Sequence, residues 1–300
     1  MAGPAGGYAP VEARPWRPRM GLRPLDLAKW LDVDARRRAE LSLKFELLSS
    51  VASHSSVVAS MPDTEEAGQE LLALVLDNLR QFHPGLVKRS GPDRLIEETT
   101  GTVVDITAFH PVDAAARLIQ EDLCLMTRRG GEWVLGAASV CFPSRWSLAD
   151  KIGRSLSAIH EPVPGYEDAL GRATESFFDR LRPEGPMWRL NWTLLGDPSL
   201  HQPRAGGGQL QDRVWFRVER QTLRRLSATE ALAFTIRTYV TPLGEVVDAR
   251  PDVAAALLVA LSDLPEAVTT YKGWREVVPR VRAWLEERAG AGVPATQGRR

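Results

Sequence analysis

Two apolar segments joined by a glycine turn place the strongest constraint on how this chain folds. Residues 122–126 and 133–142 are rich in apolar side chains, and Arg128-Arg129-Gly130-Gly131 lies between them. Glycine adopts positive φ at little steric cost, which tight hairpin turns require. The pattern predicts an antiparallel β-hairpin near the middle of the chain.

Alternating apolar and polar residues predict three more strands after this hairpin. The alternation has period two, the repeat that places successive side chains on opposite faces of a strand. It spans residues 187–194, 214–219 and 234–240. The glycine run Gly206-Gly207-Gly208 lies between the first two of these segments, and we interpret it as a flexible connector.

Apolar residues at helical spacing predict helices before, between and after the strands. The predicted helices begin near Asp34, Thr64, Ser147, Tyr166 and Pro251, and Ser227 with Glu230 predicts a further short helix. In the first, Leu41, Phe45 and Leu48 share one face. The third is predicted to run without a break from its cap at Ser147 to His160, because Pro162 then stops it.

This order of elements predicts an α+β fold. An antiparallel sheet with helices packed over it resembles PAS-like domains, which hold a cofactor in this way. We expect an extended arm at residues 1–19, a single PAS-like domain with N-terminal and C-terminal helical layers at 20–289, and a disordered tail at 290–300.

Composition excludes several classes of function. The chain has 38 basic and 38 acidic residues, so no global field favours nucleic acid or an anionic membrane. Without an apolar run that could span a bilayer or a signal-peptide start, we expect a cytoplasmic protein. Cys124 and Cys141 are too few for an iron-sulfur cluster. Cys141 could supply a thiolate ligand, but its apolar strand favours an inert core cysteine. Motifs of nucleotide-binding loops, zinc hydrolases and serine hydrolases are absent.

His160 is the candidate functional residue that the sequence indicates most clearly. Counting back by four gives Leu156, Ile152 and Leu148, so the imidazole lies on the apolar stripe of its predicted helix. A buried neutral imidazole can ligate haem iron. It can equally be a core histidine that satisfies the last carbonyls of its helix. The spacing leaves both interpretations open.

A second group of charged residues lies on two of the predicted strands. Arg217 and Glu219 share one strand face, while Arg237 and Tyr239 lie opposite the apolar side of the next strand. If those faces coincide, a carboxylate, two guanidiniums and a phenol converge, which would suit propionates or a cationic substrate. The alternative is a salt-bridged solvent face of a half-buried sheet.

Eight motifs in the same order as in a known family extend over roughly residues 18–270. They are PRMGLRPLD (18–26), QEDLCLM (120–126), VCFPSRW (140–146), DKIG (150–153), IHEPVPGY (159–166), LNW (190–192), RVERQTLRRL (217–226) and FTIRTY (234–239). In combination they resemble the haem-dependent oxidative N-demethylase family. The resemblance implies a PAS-like domain that holds haem b and uses O2 to demethylate a secondary amine such as dimethylamine, releasing formaldehyde.

The resemblance also implies roles for residues and partners. His160 would be the proximal iron ligand, and electrons would come from NADPH through FMN and an iron-sulfur centre on separate reductase subunits. The candidates for propionate anchoring and amine binding are Arg217, Glu219, Arg220, Arg224, Arg237 and Tyr239. Of these, we assign Glu219 and Tyr239 to the amine and the arginines to the cofactor. Alternatives are a PAS-like haem sensor without turnover and an interaction domain without a cofactor.

Overall fold

A seven-stranded antiparallel sheet is the centre of the fold. The computed structural model describes residues 7–204 and 213–291. The connector predicted at 206–208 lies outside these residues, as does all but the start of the tail predicted at 290–300. The strands are β1 (Arg23–Pro24), β2 (Val58–Ser60), β3 (Val87–Arg89), β4 (Arg94–Glu97), β5 (Thr102–Asp105), β6 (Asp122–Arg129), β7 (Glu132–Ser139), β8 (Met187–Leu195), β9 (Trp215–Arg225) and β10 (Leu232–Pro242).

Helices lie before, between and after the predicted strands, but β1 to β4, α2 and α4 had no counterpart in the prediction. They are α1 (Arg37–Ser49), α2 (Val51–Val57), α3 (Glu65–Phe82), α4 (Pro111–Ala116), α5 (Leu156–His160), α6 (Arg172–Arg180), α7 (Leu243–Ala249), α8 (Asp252–Ala260), α9 (Glu266–Tyr271) and α10 (Val277–Ala291). Short 3-10 turns at Leu27–Lys29 and Leu148–Asp150 and a π-helical turn at Glu167–Gly171 complete the set. Within the described residues, no helix combines the length and apolar character needed to cross a membrane.

The large sheet has the strand order β1-β8-β9-β10-β6-β7-β2, and β3, β4 and β5 form a small separate sheet. All pairs are antiparallel, including the hairpin of β6 and β7 predicted around the glycine turn. Gly130 and Gly131 both adopt positive φ, as that turn requires. The prediction of an antiparallel sheet with helices around it is confirmed.

The two faces of this sheet have different neighbours. One face, here called the helical face, packs Leu123, Leu125 and Ala233 against α3 and α4. Near the β9 start of the same face, Phe216 and Val218 pack against α7, α8 and α10. The other face, here called the site face, packs Cys124, Leu223 and Phe234 under the segment from Trp146 to Leu181.

The prediction of a continuous helix from Ser147 to His160 is wrong. The segment forms a 3-10 turn at Leu148–Asp150, bends at Gly153 with φ of 75°, and only then enters α5. The backbone between these turns bonds to β7 instead, because the Gly153 amide donates to the Leu135 carbonyl (2.8 Å) and the Leu135 amide donates to the Arg154 carbonyl (3.1 Å). Pairing with the sheet therefore outweighs the apolar helical period.

Two smaller predictions also fail for tertiary reasons. Phe45 is 45% exposed, and its neighbour Lys44 is buried at 1%. Lys44 points inward because its ammonium donates to the Ile119 and Glu121 carbonyls. The helix predicted at Ser227 and Glu230 is a turn that joins β9 and β10, with Glu230 at a φ of 58°.

Candidate functional site

His160 ends the short helix α5 on the site face. Ser155 caps that helix, since its hydroxyl accepts a hydrogen bond from the Ala158 amide (3.4 Å). The His160 imidazole donates from Nδ1 to the Leu156 carbonyl at 2.8 Å. A carbonyl can only accept, so the proton of the neutral ring is on Nδ1 and the Nε2 lone pair is left available. Nε2 makes no hydrogen bond to any residue that the structure describes.

The surroundings of His160 keep its imidazole neutral. Burial lowers its pKa from 6.5 to about 4, and the charges of Lys151 and Arg189 act in the same direction, against the opposing Leu156 carbonyl. The Tyr166 ring stacks on the imidazole with centroids 4.4 Å apart. A neutral, oriented imidazole with a free Nε2 is the form that binds a metal.

Partly buried apolar side chains pack against the hydrophobic cluster of the site face, which includes Leu156 of α5. Trp146, Ile152 and Ile159 come from the covering segment, Phe177 comes from α6, and Phe234 comes from β10. Their exposed fractions are intermediate, so part of this apolar surface is not covered by protein atoms. Such a surface suits a flat apolar ligand.

Three cationic side chains lie in the region of His160 and Glu219. Lys151 donates only to the Ile159 carbonyl, at 3.4 Å, and Lys272 donates only to the Trp192 carbonyl, at 3.3 Å. The Arg189 Nε is buried and has no hydrogen-bond partner. In the described parts of the chain, none of the three has a carboxylate within ion-pair distance. Burial lowers the pKa of each of them, and Glu219 opposes this for all three.

Glu219 is the carboxylate at the centre of this charged group. It lies on β9 in register with Asn191 of β8, whose amide donates to Oε2 at 3.3 Å. The amide of Gln221 donates to the same oxygen at 3.0 Å, and Arg217 Nε is 3.6 Å from Oε1. Burial also lowers the pKa of Arg217, and Glu219 again opposes the shift. A carboxylate held by neutral amides on one side can bind a cation on the other.

The faces that carry Arg217 with Glu219 and Arg237 with Tyr239 do not coincide, so the condition for their convergence is not met. In the β9 and β10 register Arg237 pairs with Arg220, and Tyr239 pairs with Val218. Directly paired residues share a face, so Arg237 and Tyr239 point to the helical face, while Arg217 and Glu219 point to the site face.

Residues on the helical face are bound in a buried network with the N-terminal part of the chain. Arg237 forms ion pairs with Asp34 (3.0 Å) and Glu40 (2.7 Å), and the Tyr239 hydroxyl bonds to Asp32. Burial alone would lower the pKa of Arg237, but the charge of Glu40 and its neighbours raises it instead. The pKa of Tyr239 is raised by burial and by Asp32.

Two further arginines that were predicted as cofactor contacts also point to the helical face. Arg220 donates to the Trp30 carbonyl at 3.1 Å, and the Arg224 guanidinium lies 4.7 Å from the Trp30 ring. Together with Arg237 and Tyr239, these residues join the sheet to the N-terminal segment. They are not brought together with His160.

The two cysteines are buried and form no disulfide. Burial raises the pKa of both Cys124 and Cys141 to about 12. Cys141 packs with Leu48, Val57 and Phe142, as expected of a core cysteine. Its thiol is therefore protonated at neutral pH, which does not favour a thiolate ligand.

A family model for the haem-dependent oxidative N-demethylase, alpha subunit-like, matches residues 21–282. The chain belongs to this family. Haem dependence and oxidative N-demethylase-like chemistry are thus properties of the family to which the chain belongs.

The site-face residues of this N-demethylase family member fit a haem. His160 Nε2 is an available ligand, the partly exposed apolar side chains of the site face suit a porphyrin, and the buried Arg189 Nε lacks a partner among the described residues. A haem carries two propionates, which can neutralise the excess of cations over carboxylates around Glu219.

Sequence reasoning missed the three cationic residues near Glu219. Lys151 lies in the DKIG motif but was not singled out, and Arg189 shares the polar side of β8 with Asn191. The alternation of β8 was a usable signal for Arg189. Lys272 lies between α9 and α10, and no local pattern connects it with the site.

Proposed function

We propose that this chain is the haem-binding, amine-oxidising subunit of an O2-dependent N-demethylase. Its substrate would be a small secondary amine such as dimethylamine, and the products would be a primary amine and formaldehyde. The observation that carries the proposal is the His160 imidazole, neutral, oriented through Nδ1 and free at Nε2, on an apolar surface rimmed by unpaired cations. The large sheet with α5 would then form a PAS-like fold that holds the cofactor.

In this proposal His160 would hold haem b through Nε2. Lys151 and Arg189 would bind the propionates, because both are cationic and lie beside His160 without a carboxylate partner among the described residues. When bound, the haem would supply the activation of O2 and the oxidation of the methyl group. The chain itself would orient the ligands and exclude water.

Glu219 would bind the substrate as its ammonium. The carboxylate lies on the site face, and Asn191 and Gln221 hold Oε2, so its orientation is fixed before the amine arrives. Tyr239, the other side chain predicted for this role, bonds to Asp32 on the opposite face. We therefore assign the amine to Glu219 alone.

The reaction balances only with an external reductant. One oxygen atom of O2 enters formaldehyde and the other leaves as water, with two electrons and two protons consumed for each methyl group removed. The cleaved bond is the N–C bond of a carbinolamine, whose nitrogen keeps the bonding electron pair and takes up a proton. Partner subunits that carry flavin and an iron-sulfur centre would deliver the electrons from NADPH.

Haem reconstitution of the full-length protein tests the cofactor assignment. Wild-type protein should give a Soret band that responds to reduction, and His160→Ala should lose or shift it. His201→Ala is a matched control, because His201 also donates from Nδ1 to a carbonyl, that of Cys141 at 2.8 Å. An unchanged Soret band in His160→Ala, or an equal loss in His201→Ala, would contradict the ligand assignment.

Turnover distinguishes the enzyme from a haem sensor. With NADPH, a flavin-dependent reductase and dimethylamine, the reconstituted wild-type protein should release formaldehyde in proportion to the NADPH consumed. Glu219→Gln should retain haem and lose most of this release. A wild-type protein that binds haem and shows amine-dependent spectra without formaldehyde would be a sensor, and the enzymatic proposal would be wrong.

A further inference from the structure

Arg145 adopts a backbone conformation that is uncommon for a residue with a side chain. Its φ is 65°, in the left-handed region that favours glycine. Two hydrogen bonds hold this conformation. The Arg145 amide donates to the Gln202 carbonyl (2.6 Å), and the guanidinium donates from Nη1 to the Lys272 carbonyl (2.6 Å). The end of the VCFPSRW motif is therefore fixed between two other segments of the chain.

The segment that accepts the Arg145 guanidinium is itself bound to the outer edge of β8, where β1 pairs with only the first two residues. Lys272 donates from Nζ to the Trp192 carbonyl (3.3 Å), and Trp274 donates from Nε1 to the Leu194 carbonyl (3.0 Å). Arg145 thus connects its own turn to the large sheet. This connection restricts the direction in which the next residue of the motif points.

That next residue, Trp146, presents its ring to an ammonium. The partly buried indole packs against the hydrophobic cluster of the site face, and Lys151 Nζ lies 4.7 Å from the centroid of the ring. A cation over an indole face at this distance is attracted by the ring electrons, and the attraction strengthens where water is excluded. The ring therefore takes the place that a carboxylate has in an ordinary ion pair of lysine.

The same ammonium reaches the backbone beside His160. Lys151 Nζ donates to the Ile159 carbonyl at 3.4 Å, and Ile159 directly precedes His160. Burial lowers the pKa of the ammonium. An ammonium has three N–H donors, and this carbonyl accepts from one of them. The contacts with Trp146 and the carbonyl thus leave donors on Lys151 for an anionic ligand.

We propose that Trp146 is a positioning residue whose indole holds the Lys151 ammonium beside His160, where it binds an anionic group of the cofactor. The inference rests on the proposed function only in taking that group to be a haem propionate. Without the ring, Lys151 would keep its charge on a flexible four-carbon side chain with no fixed direction. The effect of Trp146 on the cofactor therefore depends on Lys151, which distinguishes it from an apolar wall residue.

NMR of the haem-free, full-length protein tests the contact itself. Labelling with [ε-13C]lysine gives a simple spectrum, because the chain has five lysines. Wild-type Lys151 should show an upfield ring-current shift, assigned by its absence in Lys151→Arg. Trp146→Leu should remove this shift and Trp146→Phe should retain part of it, while the exposed Lys88, paired with Glu98, should stay unchanged. An unshifted Lys151 resonance in the wild type, or the same shift in Trp146→Leu, would overturn the inference.

Haem loss from the reconstituted protein to an apo-globin acceptor tests the dependence on Lys151. Trp146→Leu should lose haem about two- to thirtyfold faster than the wild type, the range expected for a cation–π contact. In the Lys151→Met background the same substitution should have a much smaller effect, since Trp146 acts through the ammonium. An equal factor in both backgrounds would show that Trp146 is only an apolar wall, and the inference would be wrong.

Trp284→Leu is a matched control. Arg288 lies 5.1 Å from the Trp284 ring in α10, so this variant loses the same kind of contact away from His160. Its rate of haem loss should equal that of the wild type, and an acceleration as large as in Trp146→Leu would contradict the inference. A wild type that shows the Lys151 shift but retains no haem would instead contradict the proposed function, while the contact with Trp146 would stand.

Discussion

The imidazole of His160 and the ring of Tyr166 stack almost in parallel, with centroids 4.4 Å apart and an interplanar angle of 12°. The stack fixes the plane of the imidazole, while the Leu156 carbonyl fixes its rotation through Nδ1. Two independent contacts therefore aim Nε2 before any ligand binds. Preorganisation of this kind lowers the cost of binding.

Removal of the stack should weaken haem retention. Aromatic pairs contribute about 0.5–1.5 kcal/mol beyond burial, so Tyr166→Leu should lose haem to an apo-globin acceptor roughly two- to tenfold faster than the wild type. Tyr166→Phe keeps the ring and should behave like the wild type. Equal loss rates in Tyr166→Leu and the wild type would show that the stack does not orient the ligand.

Acidification should destabilise the haem-free protein through His160. Its pKa is about 4 in the folded chain against 6.5 as the ordinary value. Between these values the unfolded chain binds the extra proton, so stability falls as pH drops from about 6.5 towards 4. His160→Gln cannot titrate and should lose less stability over that window in urea unfolding at pH 7, 5.5 and 4.5. Parallel losses in both proteins would contradict the buried neutral imidazole.

Arg237 should matter for stability rather than for the site. It is buried and paired with Asp34 and Glu40, and removal of one partner of a buried ion pair costs about 3–5 kcal/mol. Arg237→Met should lower the free energy of unfolding by this order. Arg250→Ala breaks the solvent-exposed pair with Asp252 and should cost less than about 1 kcal/mol. A stable Arg237→Met variant that fails to bind amine would contradict this prediction and indicate a role of Arg237 in amine binding.

Neither cysteine should react in the folded protein. The pKa of each thiol is raised to about 12 by burial, so almost no thiolate exists at pH 8. Iodoacetamide should modify both thiols in urea and neither in buffer, as counted by mass spectrometry. Cys141→Ser should leave the Soret band of the reconstituted protein unchanged, whereas a shifted band would implicate the thiol in iron binding.

Strands β6 to β10 could be predicted because their signals are local, whereas β1 to β4 were not predicted. Alternation of apolar and polar residues and the Gly130-Gly131 turn indicate β6 to β10 independently of the tertiary structure. The helix from Ser147 could not be predicted correctly, because its interruption depends on hydrogen bonds to Leu135, a residue of another element. The periodicity of the segment itself gives no information about these hydrogen bonds to β7.

The positions of the candidate site residues in the fold could be predicted only in part, for a related reason. His160 and Glu219 could be singled out from their own strand and helix patterns, but the relation between β9 and β10 could not. The register of β9 and β10 depends on the turn after Leu226. The Leu226 amide donates to the Ala231 carbonyl across this turn. A shift of one residue exchanges the two faces of a strand. The position of Lys272 could not be predicted, because it depends on how the loop between α9 and α10 packs against β8.

Two side-chain hydrogen bonds at the outer edge of β8 have a consequence for self-association of the protein. The Trp192 and Leu194 carbonyls are covered only by Lys272 and Trp274 in the described structure. Uncovered strand edges invite pairing with other chains. A movement of the segment between α9 and α10 would uncover these carbonyls. The contacts of Lys272 and Trp274 therefore protect the folded protein from self-association at this edge.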